Sequence, residues 1–409
     1  MTSSNHPTLT TPEPLRGSEI GTFAHDSIVR RLPEIAHRTL VENEFPPPVV
    51  KSIHNLIEEI PAARVRPLED PEAPDAAEWN AYVEPYVSMN WLQVPWFFAE
   101  FYFYRRILEA TNYFRAGKEG YLQDPYFLQK DRGLRASYHA VHSLCALNNH
   151  AAQADKPSRE SIVTMLNIDL WGNKADLSLW PVEEGETEIF DHEQDHEGRV
   201  IVDHSTNLAK YLSSLEPGAA RVDLLLDNAG FELVADVCLA DFLISTDIAG
   251  QVVLHPKTYP VFVSDALTKD VEETIAYLEN RSPSSCGQVG KRLREAFKIG
   301  RLVYHQDIYW TSPLPLWGIP EGLRGYFEDA NLVISKGDAH YRRLLGDRHW
   351  AFTTPFADIM SYFPAPIAAL RTCKSEVMCG LAAGQRGEMN RTDPNWITNG
   401  HWGVIQYKP

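Results

Sequence analysis

Positive charge is scarce in this 409-residue chain: 38 Lys and Arg face 55 Asp and Glu, a net charge of −17. That balance argues against nucleic acid as a partner, because no field exists to neutralise a phosphate backbone. Cysteine is scarce too. The five, Cys145, Cys238, Cys286, Cys373 and Cys379, are odd in number and form no Cys-x-x-Cys pair. This argues against a disulfide scaffold or structural zinc site and fits a reducing compartment. No run of 18 apolar residues occurs; the richest stretch, Trp91 to Tyr104, is too short and contains Glu100. No membrane span is therefore expected. Met1 leads into Ser, Thr and Pro without a basic-then-apolar signal pattern, so the expectation is a soluble, cytoplasmic protein. Internal repeats and a Gly-x-Gly-x-x-Gly loop after a strand are also missing.

What is present is a set of short apolar runs that end in polar residues. Val222 to Leu226 reads as a buried strand and Phe231 to Ile244 as a helix, with Asp227-Asn228-Ala229-Gly230 between them. Open α/β sheets place ligands at the C-terminal ends of their strands. A carboxylate and an amide there offer hard oxygens suited to Mg²⁺ or Mn²⁺. The bland alternative is a turn in which Asp227 or Asn228 is a local cap. Pro260 to Asp265 reads as another short strand ending in an acid, 38 residues after Asp227. That spacing fits one strand-helix-strand unit and would bring Asp227, Asn228 and Asp265 to one sheet edge. The competing role for Asp265 is a cap on a helix from Thr268. Asn331 to Ser335 reads as a strand ending in Lys336-Gly337-Asp338, with a helix from Ala339. A lysine, a glycine and helix N-terminal N–H groups make a phosphate cradle.

These residues resemble the metal-dependent damage-control phosphatases, in particular a branch with sugar-phosphate phosphatases and a protein described as an acidic-residue methyltransferase. The match rests on Asp227-Asn228-x-Gly230-Phe231-Glu232-Leu233, the segment ending in Asp265, Lys336-Gly337-Asp338-x-x-Tyr341-Arg342, and Arg371-Thr372-Cys373-Lys374. Pro95 to Glu100, Tyr104-Arg105-Arg106 and Leu170 to Leu177 also resemble the family, so the similarity spans roughly residues 20 to 405 in family order. His340 departs from it, standing where relatives usually carry Asn; imidazole is larger and titrates near neutrality.

The resemblance implies that Asp227, Asn228 and Asp265 hold a divalent ion (Mn, Ni, Co or Mg). Glu232, about one turn inside its helix, would orient bound water or take its proton. Lys336 and Lys374 would neutralise phosphate charge, and Asp338 would fix Lys336 or touch the sugar. His340, Tyr341, Arg342 and Arg371 are further substrate-binding candidates, with Glu100 and Asn173 as outlying ones. Glu100, in an apolar run, needs a partner, and Arg105 or Arg106 would serve. The expected ligand is a small sugar phosphate such as fructose 1-phosphate, with no membrane partner. Two other classes stay open: a carboxyl methyltransferase using S-adenosylmethionine, and a sensor that kept the pocket but lost turnover. The missing glycine-rich loop weighs against the first, and retention of every ionisable motif residue against the second.

The expected fold is a three-layer α/β/α sandwich with a mostly parallel sheet and an N-terminal helical domain. Residues 1–18 read as a loose tail, 19–160 as the helical domain and 161–409 as the α/β domain. Helical spacing recurs from Phe23 to Leu40, Val49 to Ile60, Trp96 to Ala116 and Ala136 to Asn149. His192-Glu193-Gln194-Asp195-His196 matches a zinc-protease pattern, but it lies in an acidic stretch almost without apolar residues and reads as a solvated loop.

Overall fold

The structure is a computed structural model that describes residues 6–153, 157–172, 198–281 and 283–409. Helices occupy the first part of the chain: α1 Leu32–Glu42, α2 Pro47–Glu59, α3 Ala76–Val83, α4 Trp96–Ala110, α5 Phe127–Ala136, α6 Tyr138–Ala152 and α7 Arg159–Trp171. Strands and helices then alternate: β1 Val200–Asp203, α8 Ser205–Leu212, β2 Arg221–Leu225, α9 Phe231–Ser245, β3 Gln251–His255, α10 Thr268–Glu279, α11 Ser285–Lys298 and β4 Leu302–Tyr304. After them come α12 Glu321–Glu328, β5 Leu332–Lys336, α13 Gly337–Leu345, β6 Ile367–Thr372, α14 Gln385–Thr392 and β7 Gly403–Lys408.

The seven strands form one sheet in the order β1-β7-β6-β5-β2-β3-β4. Only the β6–β7 pair is antiparallel. The sandwich expected from the alternating apolar runs is therefore what the chain forms. From β2 the chain first extends the sheet through β3 and β4, then crosses back to β5 and β6 on the other side. The reversal lies between β2 and β5, and such switch points open a crevice at the strands' C-terminal ends. Register makes the crevice specific. Leu225 of β2 stands level with His255 and with Ser335. Two residues further on, the same alignment brings Asp227 beside Lys257 and Gly337.

Both sheet faces are dry. Val222, Leu224, Leu226, Leu332 and Ile334 face α6, α7, α9, α10 and α11, while Leu225, Val333, Ile367 and Ala369 face α4 and α13. Alternation along each strand sorts the two sets, and burial on both sides explains why the strands read as continuous apolar runs. Helix α9 is buried at every position from Phe231 to Ile244, so it carries no amphipathic stripe. The N-terminal helices share their core with the sheet: Trp96, Phe97, Phe101 and Phe103 belong to one cluster with Leu225, Val333, Tyr341 and Val404.

Charged groups inside this layer are paired. Glu100 meets neither Arg105 nor Arg106; its carboxylate takes Arg342 and the Ser27 hydroxyl, the latter at 2.9 Å. Arg106 is held by Glu59 and Glu109. Arg105 forms two parallel 2.9 Å bonds with Asp75, and the side chains of the pair are 0% and 3% exposed. Asp75→Ala should leave a buried guanidinium without its counter-charge and cost about 3–5 kcal/mol. Urea unfolding measures this; a loss below about 1 kcal/mol would show that Arg105 is not held by Asp75.

Candidate functional site

Asp227 and Asn228 follow β2 directly, as the apolar run indicated. Gly230 caps α9 with φ +85°, and a Cβ there would lie 3.8 Å from the backbone of Gly133 and Leu134 on α5. The amide of Asn228 is fixed by its partners. Its Nδ2 donates to Asp227 Oδ2 at 2.7 Å and to Glu232 Oε2 at 2.8 Å, while its Oδ1 accepts from the Ser264 hydroxyl at 2.5 Å. With both Nδ2 protons on carboxylates, the oxygen cannot exchange places with the nitrogen, and one lone pair remains beyond Ser264.

Asp265 reaches this group by a route that differs from the expected one. Pro260 to Asp265 is not a strand. Pro256 and Pro260 remove two backbone donors that a strand needs. Phe262 and Val263 then take left-handed φ values of 50° and 59°. The chain curls back so that Ala229 N–H bonds to Ser264 O and Ala266 N–H to Asp227 O, both at 2.7 Å. Asn228 and Asp265 thus form an isolated bridge. A β-branched residue in this region is strained by about 1–3 kcal/mol and persists only where its surroundings over-determine it. Here Phe262 packs edge-on against Phe101 at 4.7 Å and, tilted, against Tyr104 at 5.0 Å. The aromatic face of α4 therefore holds the turn that aims Asp265. Asp265 does not cap α10: Asp270 does so, accepting from Leu267 N–H at 2.8 Å.

Two buried lysines flank the trio, one on each face of the sheet. Lys257, overlooked in the sequence, sits 2.9 Å from Asp265 Oδ2, 3.2 Å from Leu226 O and 2.9 Å from His340 Nε2. It follows β3 just as Lys336 ends β5, and the same strand-end rule could have found it. His340 is 2% exposed and edge-on to Trp310 at 5.4 Å. Burial, with the charges of Lys257 and Arg343, holds its imidazole well below the usual histidine range. It is a neutral packing and acceptor group, not the titrating substrate contact expected.

Lys336 is the larger departure. It is 1% exposed and faces away from the cradle. Its ammonium lies 2.7 Å from Asp169 O, 3.0 Å from Asp169 Oδ1, 2.8 Å from Asp236 Oδ1 and 3.8 Å from Glu232 Oε1. Burial alone would lower Lys336, but Asp169, Asp236 and Glu232 raise it. Burial raises all three acids, Asp236 most clearly, against the pull of Lys336. Asp169 and Asp236 were not singled out from the sequence; an acid one turn after Glu232 in an otherwise apolar helix was the available signal. Burial, then Glu232 and Asp265, push Asp227 well above the carboxylate range.

The remaining candidates divide. Asp338 Oδ1 accepts from Arg371 Nε at 2.7 Å, Ser375 Oγ at 3.0 Å and Lys374 N–H at 3.2 Å. Arg371 also bonds Val377 O and Ser375 O, so the pair shapes the turn after β6. Burial would raise Asp338, but Arg371 and Arg342 hold it below the usual range. Lys374 rides on that turn, half-buried, with its stem beside Gly400. Its charge reaches Asp227 and Glu232, lowering both. Tyr341 and Arg342 point elsewhere: the Tyr341 hydroxyl bonds Gln406 Oε1 at 2.8 Å. Arg342 bonds Asp347 at 2.7 Å and lies over Trp96. Both, with Glu100, are scaffold. Asn173 and the His192–His196 motif lie outside the described residues.

Asp227, Asn228 and Asp265 suit a hard divalent ion. Five buried carboxylates, including Asp169, Glu232 and Asp236, face two buried ammonium groups, and a dication would relieve most of that deficit. Among the described residues no three His, Cys, Asp or Glu side chains are placed to hold an ion by themselves. The set offered is two carboxylates and an amide, a small complement that Mg²⁺-like ions complete with water.

The family follows from comparison with known proteins. Residues 27–389 match the family described as the damage-control phosphatase ARMT1-like domain. Relatives called "Damage-control phosphatase ARMT1" are 32% identical in Rattus norvegicus and 31% in Homo sapiens, each covering 97% of this chain and 98% of that protein. A solved DUF89 family protein from Pyrococcus horikoshii superposes with a TM-score of 0.47 at 14% identity, covering 88% of this chain and 92% of that one. The family model and these relatives place the chain among the damage-control phosphatases. Within that class, the chain belongs to the ARMT1-like family.

Gly337 tests the geometry of the trio. It has φ +78°, and a Cβ there would lie 1.9 Å from Asp227 Oδ2. Gly337→Ala should drive the carboxylate from its place and, by a displacement of about 1 Å, lower turnover about a hundredfold. Wild-type turnover in the folded variant would show that the position of Asp227 does not matter.

Proposed function

We propose that the protein is a divalent-metal-dependent phosphomonoesterase acting on small sugar phosphates of the fructose 1-phosphate kind, removing damaged or reactive phosphometabolites. The observation that carries the reading is the convergence of Asp227, Asn228 and Asp265 at the β2–β5 switch point, beside the N-terminus of α13 and within reach of the Lys374 charge. Among the described residues no helix is long and apolar enough to cross a membrane, and we place the activity in the cytoplasm.

Asp227, Asn228 and Asp265 would hold the ion, which when bound supplies Lewis acidity and a template for the phosphoryl group. The protein's own groups do the rest. Glu232 fixes the Asn228 amide. The N–H groups opening α13 and the ammonium of Lys374 offset the phosphate's negative charge. Asp338 and Arg371 keep the Lys374 turn in place. No observation favours methyl transfer or a non-catalytic sensor over this reading.

A phosphate-release screen over sugar phosphates tests it. Activity should vanish with a chelator and return with Mg²⁺, Mn²⁺, Co²⁺ or Ni²⁺. Asp227→Ala and Asp265→Ala should each lose at least about a hundredfold in turnover, because the reacting groups lose their geometry. Full activity in a metal-stripped sample, or in either variant, would sink the proposal.

Lys374 carries a second test. Its Ala variant should lose one charge-assisted contact in the transition state, roughly 2–4 kcal/mol. That is about 30- to 1000-fold in kcat/KM. Metal affinity should stay within about threefold, since Lys374 is neither a ligand nor hydrogen-bonded to one. An unchanged kcat/KM would remove Lys374 from the phosphate site.

A further inference from the structure

We propose that Lys336 is a positioning residue: it aims Asn228 through Glu232 and does not touch the substrate. This rests on the reading of Asp227, Asn228 and Asp265 as an ion site. Lys336 ends β5 in phase with Leu332 and Ile334, so its side chain enters the layer of α7 and α9 rather than the α13 side. An ammonium has three protons, and acceptors surround this one. Asp169 O and Asp236 Oδ1 take hydrogen bonds from it at 2.7 and 2.8 Å, and Asp169 Oδ1 pairs with its charge at 3.0 Å. With these partners and 1% exposure, the ammonium is turned away from any phosphate oxygen.

What the lysine does reach is Glu232. Its Oε1 is 3.8 Å from Nζ, close enough for strong attraction in a dry site but too far for a hydrogen bond. The other oxygen of Glu232, Oε2, holds Asn228 Nδ2 at 2.8 Å. The lysine thus draws one oxygen of Glu232 inward while the other turns the Asn228 amide. Asp169 on α7 and Asp236 on α9 set the lysine's own position, so the chain of contacts runs from two helices, through Lys336 and Glu232, to Asn228. Asp236 has a defined part in this. It competes with Glu232 for the same ammonium and keeps Glu232 at 3.8 Å.

The test uses the full chain and two readouts, only one of which involves metal. The side-chain amide 1H–15N signals of Asn228, assigned by their loss in Asn228→Asp, should shift in Lys336→Met and in Asp236→Asn. Lys336→Arg should return them toward wild type. Asp236→Asn keeps the lysine and serves if Lys336→Met does not fold. Second, Mn²⁺ affinity by calorimetry should fall about 10- to 100-fold in Lys336→Met and in Asp236→Asn, the range for partners behind a metal ligand. The two losses should not add in the double variant, because both act through one network. Competition by inorganic phosphate at saturating Mn²⁺ should change less than about threefold in either variant.

Unshifted Asn228 signals in both single variants would overturn the proposal. So would Lys336→Met with wild-type Mn²⁺ affinity and a loss of more than about 30-fold in phosphate competition, the signature of a phosphate contact. Wild-type protein that neither binds Mn²⁺ nor releases phosphate, yet shows the amide shifts, would remove the phosphatase reading and leave the Lys336–Glu232–Asn228 coupling standing.

Discussion

Mutual repulsion among buried carboxylates is the constraint around which this molecule is arranged. Asp227 and Asp265 meet at the end of β2 while Glu232, Asp236 and Asp169 crowd the layer beneath. Isolated buried carboxylates would simply take up protons. Here two lysines, Lys257 above the sheet and Lys336 below it, supply fixed positive charge from opposite sides. Neither is free to serve a ligand. Their protons are distributed over backbone carbonyls, carboxylates and one neutral imidazole. The result is a set of side chains held by internal contacts, and still deficient in positive charge. On the proposed reading, that deficiency is what would draw a divalent ion there.

The N-terminal helices take part in this arrangement. Asp265 is delivered by a turn with two left-handed residues, one of them β-branched, and such a turn does not hold itself. Phe101 and Tyr104 of α4 press on Phe262, and Lys130 of α5 bonds Asp270 at 2.9 Å at the start of α10. The segment around Asp265 is thereby gripped from both ends by helices that precede the sheet in sequence. The aromatic run from Trp96 to Phe103 reads as plain core, and it is core. Its position also makes it the support of a strained functional turn.

Much of this was legible because strand ends in α/β sheets are marked by an abrupt change from apolar to polar. Val222 to Leu226 before Asp227, and Leu332 to Ser335 before Lys336, show that change and became β2 and β5. The segment before Asp265 shows it as well but is not a strand. Periodicity cannot separate a short apolar strand from an apolar turn; the two flanking prolines carried the distinguishing information. Lys336 stands at the strand end that the sequence indicates, but its side chain turns away from the cradle. Phase along β5 was enough to fix it, since residues two apart share a face. Arg342 and Glu100 were beyond reach for another reason. Their contact joins positions 242 residues apart, and local pattern holds no record of such a pair.

An excess of 17 negative charges would repel a phosphate monoester at long range. Nearly all the cations near the site are neutralised within the protein, so they do little to reverse that field. On the proposed reading, attraction would come from short-range elements that operate once the ligand is inside: the dipole at the start of α13, the ammonium of Lys374 and an ion that Asp227, Asn228 and Asp265 would hold. Asp338 and Arg371 matter in this light although neither is required to touch the ligand. By shaping the turn after β6 they fix the backbone that carries Lys374, which no carboxylate among the described residues approaches to ion-pair distance. The contrast with Lys257 and Lys336 is one of burial. Two lysines are buried deeply enough to be captured by acids, and the third is only half-buried, with its charge uncaptured.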